Sequence, residues 1–256
     1  MRILLQLKAI RDVTQNKINN SKFYTGMHGW IYDKLKQTRY EELHSKKNFK
    51  PFCFSNLYPV KGQIIEEGKI YRTWISSPDE MLIISILSNI RINEKVNFGE
   101  YSFQLLGLIP KPSYRVDNFT LLTTETITNV CLPVQGSLKP KAITLKKDKN
   151  KFQELLKKNI IRKYNQFSDE KVTEDFNLWN NVEITEIPDT ESAVKINFVD
   201  QDDNWFNVIG SRYRFNLGKL NDKQRQIFQL VHDLGFGERN TFGFGFVNVK
   251  RIVKDD

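Results

Sequence analysis

The sequence has little of what marks membrane, secreted or zinc-binding proteins. Its longest apolar run, Met81 to Leu87, is interrupted by Ser85 and is far shorter than the ~20 residues that span a bilayer. The stretch from Met1 to Lys8 lacks the long apolar core and the small-residue cleavage site of a signal peptide. The two cysteines, Cys53 and Cys131, form no Cys-x-x-Cys pair and suit a reducing compartment. We therefore expect a cytoplasmic protein that does not enter a membrane.

Common nucleotide and metal motifs are missing too. No G-x-x-x-x-G-K-S/T run occurs, so a P-loop is excluded. The glycine-rich stretch at 235–245 follows a predicted helix and precedes a predicted strand, whereas a dinucleotide-binding fingerprint runs from strand to helix. Asn240 also stands where that fingerprint needs its third glycine. With no carboxylate cluster and no histidine–aspartate spacing typical of metal ligands, the sequence predicts no metal and no cofactor.

The composition predicts a folded, basic protein. A chain of 256 residues forms one large domain or two of ordinary size. Its hydrophobic content of 39%, with 12% aromatic residues, is enough for hydrophobic cores and argues against wholesale disorder. The formal net charge of +9 favours a polyanionic partner, although many proteins are basic without one.

Hydrophobic periodicity in the first half predicts the order β-α-β-β-α-β. Alternation from Ile3 to Ala9 indicates a strand, and a polar loop at 11–22 separates it from a helix that begins near Thr25. The other predicted elements of this half are a short helical piece at 40–44, strands at 49–58 and 69–75, a helix from Ser77 to Ile90, and alternating strand residues at 96–109. This order is the ferredoxin-like pattern.

The second half repeats the pattern loosely after a predicted linker, Pro110 to Ser113, with a boundary no later than Asn118. Its predicted elements are strands at 121–132, 182–187, 193–199, 205–215 and 242–249, and helices at 152–164 and from Asn221 or Asp222 to Leu234. We therefore predict an α+β fold of two tandem ferredoxin-like (RRM-like) domains, residues 1–115 and 116–256, facing each other across a basic cleft.

The glycine-rich stretch holds four of the chain's thirteen glycines, Gly235, Gly237, Gly243 and Gly245, within eleven residues. A glycine after the helix and a tight turn account for the first two. The last two alternate along a predicted strand, where glycine weakens packing unless another backbone comes close. A bare backbone beside Arg239 and Asn240 suits a phosphate–sugar chain. The binding and purely structural interpretations stay open on shape alone.

Basic residues concentrate in the second half. The run from Lys139 to Lys163, which includes Lys146 and Lys147, holds ten lysines and arginines against Asp148 and Glu154. Such a run is more often a solvated face than a binding site. On a predicted strand, however, Arg212 and Arg214 alternate with aromatic residues, the mixture of charge and stacking that binds single-stranded RNA.

Four motifs carry a family resemblance. They are the terminal G-h-G-x-x-x-x-x-G-h-G loop from Gly235 to Gly245, Gly29-Trp30-Ile31-Tyr32, Glu42-Leu43-His44 and Lys50-Pro51-Phe52-Cys53-Phe54-Ser55. In this order and spacing the sequence resembles the repeat-associated RNA-binding superfamily of CRISPR systems. More narrowly, it resembles the endoribonuclease that cuts the CRISPR precursor transcript into guide RNAs.

The resemblance implies metal-independent cleavage of CRISPR repeat RNA. The 2′-hydroxyl beside the cut attacks the adjacent phosphate and leaves a 2′,3′-cyclic phosphate and a 5′-hydroxyl. A Tyr, a His and a Lys often share this work in the family, and they correspond to Tyr32, His44 and Lys50. Subunits of a CRISPR effector complex and a second copy of the chain are further partners that the resemblance leaves open.

Alternatives exist at most of these positions. His28 lies one helical turn from Tyr32, so it can position substrate, act as the base or only pack. Lys46 and Lys47 either hold phosphates near the cut or form a solvated loop. His232, near a predicted helix C-terminus, is expected to be structural. For the whole protein, the alternative to a nuclease is a non-catalytic RNA-binding subunit of an effector complex.

Overall fold

The computed structural model describes residues 1–14, 17–60, 64–133, 140–197 and 205–251. The chain forms two compact units. The first comprises Met1–Ser113, Ala193–Val208 and Thr241–Gly243, and the second comprises Tyr114–Ser192, Ile209–Asn240 and Phe244–Asp256. The glycine-rich stretch therefore contributes three residues to the first unit and the rest to the second. The predicted mixture of helices and strands is confirmed, and the strands pair antiparallel.

The first unit is built on a five-stranded antiparallel sheet. Its strands and helices, with two short ribbons, are β1 (Arg2–Ala9), β2 (Val13–Thr14), α1 (Lys17–Lys34), β3 (Cys53–Phe54), β4 (Ile64–Ile65), β5 (Ile70–Ser76), α2 (Glu80–Ser88), β6 (Lys95–Phe98) and β7 (Tyr101–Lys111). The sheet order is β3-β5-β1-β7-β6, and β2 pairs with β4 separately. A 3₁₀ turn at Glu41–Leu43 lies between α1 and β3. Ile3, Leu5 and Leu7 point to the buried side of β1, as the alternation predicts.

The first helix begins eight residues earlier than predicted, so the predicted polar loop at 11–22 is wrong. Its first turns are polar and carry no apolar stripe that periodicity could detect. Tertiary packing stabilises them instead, because the ring of Phe23 packs edge to face on that of Phe98 with 5.8 Å between the ring centroids. Gly26 allows the helix to approach the β6–β7 turn, because a Cβ there would lie 2.4 Å from the amide nitrogen of Gly99.

Two further predictions for this half need correction. The strand predicted at 49–58 is reduced to Cys53–Phe54, paired with β5, and one bridge from Tyr58 to Arg72 of the same strand. Pro51, two residues before β3, has no backbone N–H to donate to a ladder. The predicted linker begins inside a strand, since Pro110 and Lys111 are the last residues of β7.

The second unit has a four-stranded antiparallel sheet. Its elements are β8 (Thr120–Thr124), β9 (Cys131–Leu132), β10 (Lys141–Ala142), α3 (Lys149–Phe167), β11 (Val182–Glu186), β14 (Tyr213–Leu217), α4 (Asp222–Leu234) and β15 (Val247–Arg251). The sheet order is β11-β14-β8-β15, and β9 pairs with β10. The ribbon of β12 (Ser192–Asn197) and β13 (Trp205–Gly210) lies between β11 and β14 in sequence, but most of it belongs to the first unit.

Apolar faces of α3, α4 and the sheet enclose one core in this unit. Phe152, Leu156 and Ile160 repeat at intervals of four on the buried side of α3. The ring of Phe215 on β14 stacks on Phe236 at a centroid distance of 4.1 Å. The glycine-rich stretch is therefore joined to the core at its first aromatic residue. None of the helices in the described part of the chain has the length and apolarity needed to cross a membrane.

The strand predicted at 242–249 begins only at Val247. Residues 240–242 form a 3₁₀ turn, and Gly243 and Gly245 have φ angles of +79° and +71°. Such angles favour glycine and end strand geometry, so the alternation of aromatic residues there does not reflect a β face. The strand predicted at 121–132 is likewise divided into β8 and β9.

Candidate active site

Three polar aromatic rings meet in the first unit. His28 and Tyr32 lie one turn apart on α1, with ring centroids 4.8 Å apart. His44 follows the 3₁₀ turn, and its ring lies 4.7 Å from Tyr32, edge to face at 88°, and 5.9 Å from His28. The sequence-predicted Tyr32 and His44 are thus neighbours, together with the auxiliary candidate His28.

His28 is held in one tautomer. Its Nδ1 lies 2.9 Å from the carbonyl oxygen of Thr241, and its ring stacks on Phe242 at 4.1 Å and 4°. Because a carbonyl only accepts, Nδ1 carries the proton and the neutral ring keeps a lone pair on Nε2. Burial lowers the pKa of His28 to about 4; the Thr241 carbonyl opposes this shift and His44 adds to it. At neutral pH His28 is therefore an uncharged ring.

Tyr32 also stays uncharged. Burial raises the pKa of its phenol well above the ordinary value, so the hydroxyl keeps its proton at neutral pH. Its ring packs edge to face on Phe52 at 5.5 Å. His44 differs from both neighbours because it is exposed, so a ligand can reach its imidazole from solvent. An exposed imidazole beside a protonated phenol is a suitable pair for proton transfer to and from a ligand.

Lys50 precedes the buried β3 by three residues and is half-buried. Burial, and then the charge of Lys46, lower the pKa of the Lys50 ammonium. Phe52, two residues further along, packs on Tyr32, which joins the Lys50 segment to the ring cluster. Lys46 and Lys47 are exposed.

The glycine-rich loop is organised by two side chains of the second unit. Lys163 is 1% exposed, and its ammonium donates to the carbonyl oxygens of Gly235, at 3.0 Å, and Gly237. Asn240 is buried, and its Nδ2 donates to the carbonyls of Phe236, at 3.0 Å, and Phe244, at 2.8 Å. Both side chains thus support the loop from inside.

Sequence reasoning counted Lys163 among the surface charges of the basic run and missed this contact. A signal was available, because Lys163 follows Phe152, Leu156 and Ile160 at helical spacing and so falls on the apolar stripe of α3. An ammonium there needs buried acceptors, and the carbonyls of a glycine-rich loop supply them.

The glycines of the loop lie where side chains do not fit. A Cβ on Gly245 would lie 1.9 Å from the carbonyl oxygen of Phe236, and one on Gly237 would lie 2.4 Å from that of Asn129. In the first unit, a Cβ on Gly243 would lie 2.5 Å from the ring of Phe54. These contacts support the structural interpretation of the glycines.

Arg239 has a φ of +58° in this loop and is half-buried. Burial lowers the pKa of its guanidinium, and the neighbouring Glu238 opposes the shift. Burial also raises the pKa of the Glu238 carboxyl. Arg239 therefore combines a left-handed backbone with a guanidinium that is partly removed from solvent beside the Glu238 carboxyl.

Much of the basic run is already paired. Lys147 contacts Glu191 at 2.6 Å, and Lys151 and Lys158 both contact Glu154. Lys146 bonds Glu186 through its backbone amide. The run is therefore partly neutralised within the protein, as a solvated face would be.

The two predicted arginines of the sheet differ in exposure. Arg214 is exposed on β14, where it lies between Thr185 of β11 and Thr123 of β8. Arg212 is half-buried just before that strand. Arg214 thus lies on the polar face of the sheet, opposite the core.

His232, expected to be structural, and Cys53 lie in the interior. The Nδ1 of His232 lies 3.0 Å from Oδ1 of Asp233, and both side chains are buried. Cys53 is buried, and neither Cys53 nor Cys131 forms a disulfide. Across the described ranges, no group of three or more His, Cys, Asp or Glu residues is arranged to hold a metal ion.

Comparison with known proteins points to one family. The model of the family "CRISPR associated protein Cas6, C-terminal" matches residues 115–249, more than half of the chain. The CRISPR-associated endoribonuclease Cas6 2 of Methanocaldococcus jannaschii is 26% identical over 264 residues, which covers 97% of this chain and 99% of the relative.

Solved structures agree on the fold. A Cas6-related protein from Pyrococcus furiosus superposes with a TM-score of 0.70 at 19% identity, covering 100% of this chain and 99% of that one. A structure described as an RAMP protein binding different RNA substrates superposes with a TM-score of 0.72 at 18% identity, covering 98% and 99%. From the family match over its second half, with relatives that span nearly its full length, this chain belongs to the Cas6 family of CRISPR-associated proteins.

Proposed function

We propose that this protein is a metal-independent endoribonuclease that cuts CRISPR repeat RNA to produce guide RNAs. The observation that carries the proposal is the ring cluster of the first unit, in which an exposed His44 lies against Tyr32 at 4.7 Å. It occurs in a Cas6-family chain whose relative in Methanocaldococcus jannaschii is named an endoribonuclease.

The reaction is a transesterification within the RNA. The 2′-oxygen of the nucleotide before the cut forms a bond to the adjacent phosphorus and loses its proton. The bond from phosphorus to the 5′-oxygen of the next nucleotide breaks, and that oxygen gains a proton. The products carry a 2′,3′-cyclic phosphate and a 5′-hydroxyl, so neither a redox partner nor an external nucleophile is required.

Three side chains divide the work in this proposal. The exposed His44 imidazole exchanges protons with the RNA, because an imidazole nitrogen can accept a proton and give it back. Tyr32, which remains a protonated phenol, donates a hydrogen bond that orients the attacking or leaving oxygen. Lys50, half-buried and cationic, meets the negative charge that develops on the phosphorus oxygens.

His28 has a structural role beside these three side chains in this proposal. Its Nδ1 is occupied by the Thr241 carbonyl and its ring is stacked on Phe242, so its freedom to move is small. With a pKa near 4, it is a poor proton donor at neutral pH. We assign it to holding Tyr32 and the first-unit part of the glycine-rich stretch.

RNA would be gripped outside this cluster by cations of the second unit. Arg239 on the strained loop and Arg214 on the polar sheet face are the residues we propose for phosphate contacts. Arg212, Lys146, Lys147 and the loop glycines form the wider candidate surface, whereas Asn240 acts through the loop's shape.

We also propose that the chain forms two ferredoxin-like domains. In each unit, the strands taken in the order β-α-β-β-α-β form a sheet of order 2-3-1-4, with β6 added at one edge of the first unit. This order supports two ferredoxin-like domains, 1–115 and 116–256. A cytoplasmic location, effector-complex partners and a homodimer remain predictions.

The direct test is cleavage of candidate CRISPR repeat transcripts in EDTA, with end-group analysis of the products. We expect one cut with a 2′,3′-cyclic phosphate end. His44→Ala is expected to lower the single-turnover rate by about 100-fold to 10,000-fold, because it removes a proton-transfer group. RNA binding should persist in this variant.

Glu42→Ala is the matched control, since Glu42 is exposed two residues before His44. It should cut at the wild-type rate. If the wild-type protein binds repeat RNA but leaves it intact with or without divalent metal, the chain is an RNA-binding subunit and the nuclease assignment is wrong. Cleavage that requires a metal ion would instead refute the metal-independent mechanism.

A further inference from the structure

The segment that carries His44 has almost no regular structure of its own. Between α1 and β3 only Glu41–Leu43 forms a 3₁₀ turn, and residues 44–48 are exposed. Local bonds shape the turn, such as the one from the amide of Leu43 to the carbonyl of Tyr40 at 2.9 Å. Local bonds also join the turn to the end of α1, from the amide of Thr38 to the carbonyl of Leu35 at 3.3 Å and from the amide of Glu41 to the carbonyl of Thr38 at 3.1 Å. Contacts with other elements add to these bonds.

Tyr40 makes such a contact. Its hydroxyl donates to Oδ2 of Asp79 at 2.6 Å. The guanidinium of Arg39 donates to the same hydroxyl at 2.6 Å. Its central carbon lies 4.8 Å from the centroid of the Tyr40 ring. Within the described residues, Arg39 and Tyr40 supply the polar side-chain contacts by which residues 38–47 reach another element.

Asp79 is itself fixed in direction. It is the N-cap of α2, where Oδ1 accepts from the amides of Met81, at 3.0 Å, and Leu82, at 3.3 Å. Its second oxygen is therefore aimed at Tyr40 by the helix. Burial of Tyr40 and the nearby carboxylate raise the pKa of the phenol, so the hydroxyl remains a donor.

The same helix end holds the Lys50 segment. The buried Ser77 hydroxyl donates to the carbonyl of Pro51, the residue after Lys50, and accepts from the amide of Asp79 at 3.0 Å. At the other end of α2, the Asn89 amide donates to the carbonyl of Lys34 at 2.9 Å, at the end of α1. Residues that flank the two ends of α2 thus bond Tyr40, the segment after Lys50 and the end of α1.

We infer that Tyr40 is a positioning residue, which by bonding the N-cap carboxylate of Asp79 keeps the His44 imidazole against the ring of Tyr32. The inference rests on the proposed nuclease activity. Tyr40 precedes His44 by four residues in a tight turn, so releasing its hydroxyl lets the imidazole drift. Proton transfer tolerates little displacement, since about 1 Å can lower a rate by about 100-fold.

The first test compares Tyr40→Phe with the wild type in single-turnover cleavage of repeat RNA. We expect a fall of about 10-fold to 100-fold in rate. Affinity for the same RNA with a 2′-deoxynucleotide at the cut should not change, because Tyr40 does not grip the RNA. Tyr114→Phe, an exposed tyrosine 41% accessible in the second unit, is the matched control and should keep full activity.

A second variant separates positioning from folding. Asp79→Asn retains an oxygen to cap α2 but replaces the carboxylate that Tyr40 binds. It should lower the rate less than Tyr40→Phe does, and the double variant should be no slower than Tyr40→Phe alone. Two results would show a general structural role and overturn the inference. One is a loss of rate in the double variant equal to the sum of the single losses, and the other is a loss of rate that simply follows the fall in melting temperature.

The position of His44 can also be measured without RNA cleavage, from the NMR resonance of its ring protons. This resonance is assigned by comparison with the spectrum of His44→Ala. The Tyr32 ring shifts this resonance in the wild type, and in Tyr40→Phe it should move toward the value of a free histidine. An unchanged resonance with an unchanged rate would refute the inference. A different outcome is that the wild type fails to cut RNA while the His44 resonance still moves in Tyr40→Phe. That result would establish the Tyr40–Asp79 hydrogen bond as a structural contact and refute only the proposed nuclease function.

Discussion

The three histidines show how strongly the environment of a residue decides its chemistry. His44 is exposed, His28 is stacked and bonded to a carbonyl, and His232 is buried beside Asp233. Sequence patterns identified His28 and His44 as candidates but could not divide their roles. The distinction depends on Thr241 and Phe242, which lie more than two hundred residues from His28 and are brought to it by the fold.

The lowered pKa of His28 predicts a pH dependence of stability. Its folded pKa of about 4 lies below the reference value of 6.5, so between these values the unfolded chain binds a proton that the folded chain does not. Stability is therefore full above pH 6.5 and is lost as the pH falls toward 4. His44 is the titratable group beside His28 that adds to the shift, and Tyr32 stays neutral throughout.

Urea denaturation at pH 7 and pH 4.5 measures this effect. Between the two conditions, the wild type should lose about 2 kcal/mol more free energy of unfolding than His28→Gln, which does not titrate. The other ionisable groups are shared by both proteins and cancel in the difference. Equal losses would mean that His28 is not held neutral in the folded state.

At the scale of elements, the glycine-rich loop is shaped by close contacts. Its glycines adopt positive φ angles or lie against carbonyls, while Lys163 and Asn240 bind its backbone from inside. The glycine spacing indicated a special backbone, but the strand predicted through Gly243 and Gly245 was wrong. Alternating aromatic residues have the same period in a strand and in this succession of turns, so periodicity could not separate them.

A pair of glycine substitutions tests this account of the loop. Gly245→Ala should lower the free energy of unfolding by about 2–4 kcal/mol, because the methyl group meets the Phe236 carbonyl at a φ of +71°. Gly29→Ala lies in α1 with nothing within 4 Å of its new Cβ, and should be neutral or stabilise by about 0.5–1 kcal/mol. Similar effects of the two changes on denaturant unfolding would contradict the assigned contacts.

At the scale of the whole molecule, net charge is a poor guide to which cations bind RNA. The chain carries +9, but Lys147 and its neighbours on α3 already contact glutamates, whereas Arg214 is exposed on the polar face of the sheet. When the protein binds a nucleic acid, a cation that is already paired with a carboxylate of the protein releases fewer counterions from the phosphates.

Salt titration of RNA affinity tests this difference. With RNA that carries a 2′-deoxynucleotide at the cut, Arg214→Ala should reduce the slope of log affinity against log salt by about one. Lys147→Ala should change the slope less, because Lys147 lies 2.6 Å from Glu191. A larger effect of Lys147→Ala would place the RNA on the α3 face and refute the assignment to Arg214.

The sequence by itself determined the mixed class of helices and strands, the order of most of these elements, the family and the neighbouring pair Tyr32 and His44. These depend on local periodicity and on motifs that a short stretch contains complete. The tertiary structure alone decided where α1 begins, that Lys163 is buried, that His28 is neutral and that Tyr40 binds Asp79. Each of these depends on groups far apart in the chain, whose burial and hydrogen bonds exist only after the chain has folded.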